Sequence, residues 1–259
     1  MAENFTDAQK YLDIRYFYAT LSTAPFCVPP IDLERTISAI LFTEERKERE
    51  MMKVIAINGS PNQDGNTGHA LQIMKKELER QGIEVEVIWV GRLNIHGCIA
   101  CGYCSTSEQN RCVYQNDIVN ETAAKMREAD GFILASPTYY AGIAGTMKSF
   151  LDRVFFTSSE YFKYKVATSV AVVRRAGGVD VVHQLNNYLN LAETVTPPSQ
   201  YWTVGYGMEP GEVLRDEEGI QTIRKNARCM AWLLKVIEAG KEHVPFPDEE
   251  DRAMTNFIR

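Results

Sequence analysis

Residues 53–67 read KVIAINGSPNQDGNT. A short β-branched run over 54–58 passes into a Gly/Ser/Pro/Asn loop, which opens an amphipathic helical pattern over 67–81. The order strand, loop, helix sets a helix N-terminus at the end of a strand. Such a terminus carries unpaired backbone N–H groups and the positive end of the helix dipole, so it attracts an anion. Ser60, Asn62, Asn66 and Thr67 add short side chains able to donate to phosphate oxygens. The loop has neither the Gly-Lys-Ser/Thr ending of a nucleoside-triphosphate loop nor the G-x-G-x-x-G of a dinucleotide site. A phosphate held without a lysine points to flavin mononucleotide (FMN). The plain alternative is a polar strand-to-helix turn.

Outward from this stretch the alternation repeats. Strands are expected at 54–58, 85–90, 131–135, 166–173 and 201–204, with helices near 67–81, 117–129, 146–156 and 179–191. A last helix is expected over 216–239, with acidic residues in its first turn and Gly240 as its stop. Its apolar residues Ile220, Ile223, Ala227, Met230, Leu234 and Ile237 recur at helical spacing. Strand–helix alternation means βαβ units and a parallel sheet. The expected fold is α/β, a flavodoxin-like doubly wound five-stranded parallel sheet of order 2-1-3-4-5 with an N-terminal extension. Ligands then belong at the carboxyl ends of the strands.

Three segments follow from this reading. Residues 1–50 form a partly helical extension, a packing or oligomer arm. Its aromatics, among them Tyr11, Tyr16, Phe17, Tyr18 and Phe26, are too many for a disordered leader, and 31–50 reads as a helix. Residues 51–245 form the FMN-binding domain, and 246–259 a polar surface tail. The chain of 259 residues is 45% apolar and 24% charged, a globular composition. Its net charge of −6 argues against non-specific binding to nucleic acid or anionic membrane. No run approaches the roughly 18 apolar residues of a membrane span. Four of six cysteines crowd between positions 98 and 112, which favours a reducing, cytoplasmic compartment over a secreted disulfide framework.

Two further loops belong on the same sheet edge. Ser136-Pro137-Thr138-Tyr139-Tyr140-Ala141-Gly142 follows the third strand. The backbone at Gly142 can approach a flavin ring closely, and Tyr139 or Tyr140 can wall it. Alternatively it is a glycine-rich turn with two core tyrosines. Arg174-Arg175-Ala176-Gly177-Gly178 follows the fourth strand. Its arginines suit the negative charge of a reduced flavin, the extra phosphate of NADPH, or plain solvation.

Cys98, Cys101 and Cys104 stand at successive C-x2-C intervals, and Cys112 follows after seven residues. Such spacing folds around one centre, as in [4Fe–4S] ligation. Zinc more often uses two separated knuckles, and a metal-free loop shaped by its cysteines is the third reading. His69, on the first helix, reads as a surface or interface residue, His183 and His243 have no Cys, Asp or His at ligand spacing, Asp117 opens a helix, and Asp152-Arg153 reads as an ordinary solvated or structural pair.

Taken together, Gly59-Ser60-Pro61…Gly65-Asn66-Thr67, the Cys98 to Cys112 run followed by Asp117, and Ser136-Pro137-Thr138-Tyr139…Lys148-Ser149-Phe150-Leu151-Asp152-Arg153 carry a resemblance. Over about residues 52–240 the chain resembles the NAD(P)H-dependent FMN reductase branch of the flavodoxin superfamily, which includes the iron–sulfur flavoproteins. The resemblance implies that Ser60, Asn62, Asn66 and Thr67 hold the FMN phosphate. It places Pro137, Thr138, Tyr139, Tyr140 and Gly142 along the ring, with Gly177 and Gly178 on its other side and Arg175 near by. It implies a homodimer or homotetramer. The chain departs from the family in its N-terminal fifty residues and in the long gap before Cys112. The segment 199–212 looks like a variant that lines the substrate side of the flavin.

The expected function is FMN-dependent transfer of hydride from NAD(P)H, as substrate, to a small acceptor such as a quinone, a nitro or azo aromatic, or flavin. No side chain is expected as an obligatory acid or base, because such chemistry belongs to the cofactor. One alternative is an electron carrier with a [4Fe–4S] cluster on Cys98, Cys101, Cys104 and Cys112, working with a ferredoxin. Another is a module whose cysteines sense metal or oxidant.

Overall fold

The computed structural model describes residues 51–251, 253–255 and 257; the expected N-terminal arm lies outside them. Strands β1 (Lys53–Asn58), β2 (Glu84–Trp89), β3 (Gly131–Tyr139), β5 (Val166–Val173) and β6 (Val204–Tyr206) form a parallel sheet in the order β2-β1-β3-β5-β6. A short strand β4 (Gly142–Ile143) folds back antiparallel on the end of β3. With β4 set aside, this is the expected 2-1-3-4-5.

The helices are α1 (Asn66–Glu79), α2 (Tyr103–Thr106), α3 (Val119–Glu128), α4 (Gly145–Phe162), α5 (Gly178–Leu191) and α6 (Glu217–Gly240). Because side chains alternate across a strand, each central strand feeds two cores. Ile55, Ile57, Phe132 and Leu134 face α3, α4 and α5, where Met126, Phe150, Leu151 and Leu185 meet them. Val54, Ala56, Ile133 and Ala135 face α1 and α6, against Leu71, Met74, Met230 and Leu234. All eight residues of β5 are buried, as expected of a strand covered on both faces.

The main differences from the sequence reading lie in the last strand, in α4 and after β3. The last strand lies at Val204–Tyr206, not 201–204. Tyr201 and Trp202 are exposed and pack edge-on against each other at 4.7 Å. Helix α4 runs on to Phe162, whose ring packs 4.9 Å from Phe132 and anchors the extra turn in the core. Strand β3 runs on to Tyr139 and turns back as the β4 hairpin, where the sequence pattern places a loop after 135. Asp216 caps α6 by accepting from Gly219 N at 2.9 Å and also accepts from Tyr206 N at 2.8 Å, so one carboxylate joins β6 to the helix. Beyond α6 the described residues are exposed, with Phe246 stacked on Tyr164 at 4.7 Å and Glu249 paired with Lys163. No helix among the described residues is long and apolar enough to cross a membrane.

Candidate functional site

The loop between β1 and α1 is folded by the last side chain of the strand. Asn58 accepts from Ser60 N at 3.0 Å and donates to Gln63 O at 3.0 Å. Ser60 Oγ accepts from Asn62 N at 3.2 Å, and Trp89 at the end of β2 donates its indole N–H to Ser60 O at 2.7 Å. The turn presses so close to the helix that a Cβ on Gly68 would stand 2.2 Å from Gln63 O. The first helical hydrogen bond runs from His69 N to Gly65 O at 3.0 Å. The N–H groups of Asn66, Thr67 and Gly68 therefore open α1 with no acceptor among the described residues.

The side chains expected at a phosphate are distributed as follows. Ser60 and Thr67 are buried in the turn, while Asn62 is exposed and accepts from Arg92 at 3.1 Å. Asn66 is buried, but its amide is committed elsewhere: it donates to Glu209 O at 2.9 Å and accepts from Val213 N at 3.2 Å. It thus latches the segment after β6 onto the start of α1. A Cβ on Gly207 would stand 2.7 Å from Val213 N, so this segment also needs glycine to close.

The loop after β3 is the β3–β4 hairpin. Ser136 Oγ accepts from Ala144 N at 3.0 Å, and Thr138 pairs with Ile143 and Tyr139 with Gly142. Pro137 is half-buried, Tyr139 is half exposed, and Tyr140 stands fully exposed at the tip with φ +55°. Gln184 of α5 holds the hairpin by accepting from Ile143 N at 3.2 Å; a Cβ on Gly142 would reach 2.8 Å from its Oε1. On the other side Gly177, at φ +87°, begins α5. A Cβ there would stand 3.2 Å from Thr138 Cγ2, and one on Gly178 would meet Val204 at 2.6 Å. The Thr138 hydroxyl is buried between these loops with no partner. Arg174 and Arg175 are exposed, with no ion pair among the described residues.

These features fit FMN. Three free N–H groups at a helix start suit its phosphate, and an orphaned hydroxyl between two glycine-lined loops suits a polar ring edge. Trp89, Gln184 and the Asn66 latch were missed by sequence reasoning, since each acts across elements distant in the chain.

The second centre is the cysteine segment between β2 and α3. Cys98, Cys101, Cys104 and Cys112 are free thiols, and all four line one cavity of about 200 Å³ together with Arg153 and Phe156. The loop turns through positive φ at Ala100 and Gly102. Asn120 of α3 clasps the backbone of Cys112, accepting from its N at 2.8 Å and donating to its O at 3.0 Å. Arg153 is fully buried, so of the surface and structural readings of Asp152-Arg153 the structural one holds for the arginine. It forms a two-pronged ion pair with Asp117 and donates to Cys112 Sγ at 3.1 Å. Burial works against its charge, but Asp117 and Cys112 more than offset this and hold the guanidinium above its ordinary pKa. Asp152 turns away, to Lys148 at 2.6 Å and the Tyr188 hydroxyl at 2.5 Å. Burial first, and then Asp152, pushes Tyr188 up to about 12. Arg153 lies three residues beyond buried Phe150, so helical periodicity does place it on the inner face. Four thiols round one cavity fit a thiolate-bound metal in donor type, although among the described residues no three Cys, His, Asp or Glu are gathered as a metal-holding group.

Residues 52–209 match the family model described as NADPH-dependent FMN reductase. An iron–sulfur flavoprotein of Methanocaldococcus jannaschii is 32% identical over 195 residues, which cover 72% of this chain and 100% of the relative. An FMN-dependent NADPH-azoreductase of Staphylococcus saprophyticus is 30% identical over 128 residues, 49% of this chain and 62% of that one. Among solved structures, RosB with bound 8-demethyl-8-formylriboflavin-5'-phosphate superposes with a TM-score of 0.57 at 18% identity, covering 80% of this chain and 94% of that one. That likeness concerns the fold alone. The family match spans the phosphate loop, the cysteine segment and the β3–β4 hairpin together, and on it the chain belongs to the NADPH-dependent FMN reductases, flavoprotein oxidoreductases of flavodoxin-like fold.

Proposed function

We propose that this protein is an FMN-dependent oxidoreductase that takes reducing equivalents from NADPH or NADH and delivers them to a small acceptor: a quinone, a nitro or azo aromatic, or free flavin. The observation that carries the reading is the buried, unpartnered Thr138 hydroxyl on the same sheet edge as the free N–H groups of Asn66, Thr67 and Gly68. Bound FMN supplies the hydride and electron chemistry. The backbone N–H groups, with Ser60, Asn62 and Thr67, hold the phosphate; Asn66 acts as the latch. Pro137, Thr138, Tyr139, Tyr140 and Gly142 flank the ring on one side, and Gly177 and Gly178 on the other, with Arg174 and Arg175 supplying positive charge at the rim. The azoreductase name among the relatives supports an aromatic acceptor. Purified protein should carry extractable FMN that NADPH bleaches anaerobically. Protein that holds no flavin and binds none when FMN is added would sink the reading.

A second reading is supported by the cavity shared by four cysteines and by the name of the archaeal relative. In it Cys98, Cys101, Cys104 and Cys112 hold a [4Fe–4S] cluster, and a ferredoxin exchanges electrons with the protein. Bleaching by reduced ferredoxin but not by NADPH, with iron and sulfide present, selects it over the first. In either case the working form is a homodimer or homotetramer, for which the exposed Phe156 and Leu191 supply an apolar face.

A further inference from the structure

We infer that Arg153 positions Cys112 and sets the reduction potential of an iron–sulfur centre held by the four cysteines, an inference that rests on the cluster reading above. Cys98, Cys101 and Cys104 lie within seven consecutive residues, whereas Cys112 arrives after seven further residues and must be brought to them. Arg153 enters from α4, far away in sequence. A guanidinium has five N–H donors, and here every one is used. Nε donates to Cys112 Sγ, Nη1 to His96 O and Asp117, and Nη2 to Tyr114 O and Asp117. All these acceptors lie in residues 96–117, the segment that contains the cysteines. The Tyr114 ring completes the enclosure, 5.0 Å from the guanidinium carbon and stacked on His96 at 4.8 Å.

The cysteine segment thus folds around a single cation. Asp117 neutralises that cation, so folding does not leave a bare charge in the interior. The fifth donor is spent on sulfur, a weak acceptor when protonated and a strong one when anionic or bound to iron. Hydrogen bonds and positive charge at a ligating sulfur favour the reduced, more negative state of a centre and raise its potential. Loss of the Nε donor should therefore make the centre harder to reduce. Lysine can keep the ion pair with Asp117 but has no fork to reach sulfur, both carbonyls and carboxylate at once.

The test uses anaerobically purified full-length wild type, Arg153→Lys, and the double variant Arg153→Met/Asp117→Asn, which removes both buried charges together. Iron and sulfide per chain, the midpoint potential of the centre and thermal unfolding are measured for each. We expect both variants to keep FMN, to hold less iron, and to shift the one-electron equilibrium of the remaining centre about tenfold toward the oxidised form, ~59 mV. Full iron at an unchanged potential in a folded variant would overturn the inference. Lower thermal stability with an unchanged potential would do so too, by making the arginine merely structural. Wild type free of iron would instead refute the cluster reading on which the inference stands.

Discussion

The Thr138 hydroxyl lies buried with no hydrogen-bond partner while its methyl faces Gly177, and a buried unsatisfied hydroxyl costs roughly 1–3 kcal/mol. Thr138→Val keeps the shape and removes the group. Apo-protein carrying it is expected to unfold at the same or a higher temperature than wild type, while its affinity for FMN falls about tenfold, the worth of about one hydrogen bond. Thermal melts and a flavin-fluorescence titration check both signs; lower apo stability with unchanged affinity would remove Thr138 from the site. Gly68 gives a prediction of the opposite kind. A Cβ there would meet Gln63 O at 2.2 Å, so Gly68→Ala must displace the turn, at a cost of roughly 1–3 kcal/mol and with loss of FMN binding. Stability similar to wild type with full FMN affinity would show that the turn can yield.

Among the elements, α1 and α6 are joined by Glu77, buried on α1, and Arg228 at 2.7 Å. The hydrogen bond from Arg228 outweighs burial and holds the Glu77 carboxyl below its ordinary 4.5. A carboxyl whose pKa is lower in the folded chain contributes stability that is complete above its ordinary pKa and lost as pH falls through the folded value. The gap in urea midpoint between wild type and Glu77→Gln should therefore be largest at neutral pH and shrink as the medium is acidified below 4.5. A gap constant with pH would assign the effect to packing. At this scale the sequence was most readable where pattern and burial agree. The β-branched run of β5 and the periodic face of α6 declared themselves. The strand at β6 did not, because it has only three residues and follows two exposed aromatics that read equally well as strand. The local sequence leaves Asp152-Arg153 open between a surface and a structural pair; the spacing of Arg153 from Phe150 points inward, but its partner Asp117 lies 36 residues away. That the three candidate loops share one sheet edge was legible, since each follows the end of a parallel strand. Their fastenings, Trp89, Gln184 and Asn66, were not, because no local rule links residues so far apart in the chain.

At the scale of the molecule, Phe156 and Leu191 are exposed and line one groove of about 360 Å³ between α4 and α5, and Phe156 also lines the cysteine cavity. Exposed apolar surface of this kind marks an interaction face. Leu191→Glu is expected to lower the mass seen by light scattering to that of one chain, with FMN retained; an unchanged oligomer would place the contact elsewhere. The Asn66 latch has a consequence in time. Its partners Glu209 and Val213 lie 143 and 147 residues downstream, so the first turn of α1 reaches its final form only after the last strand has docked. Contacts of such separation form slowly and late. During refolding, helical circular dichroism should recover first and capture of FMN should lag behind it. A chain still emerging from the ribosome would hold a nearly complete sheet and remain unable to take up its cofactor.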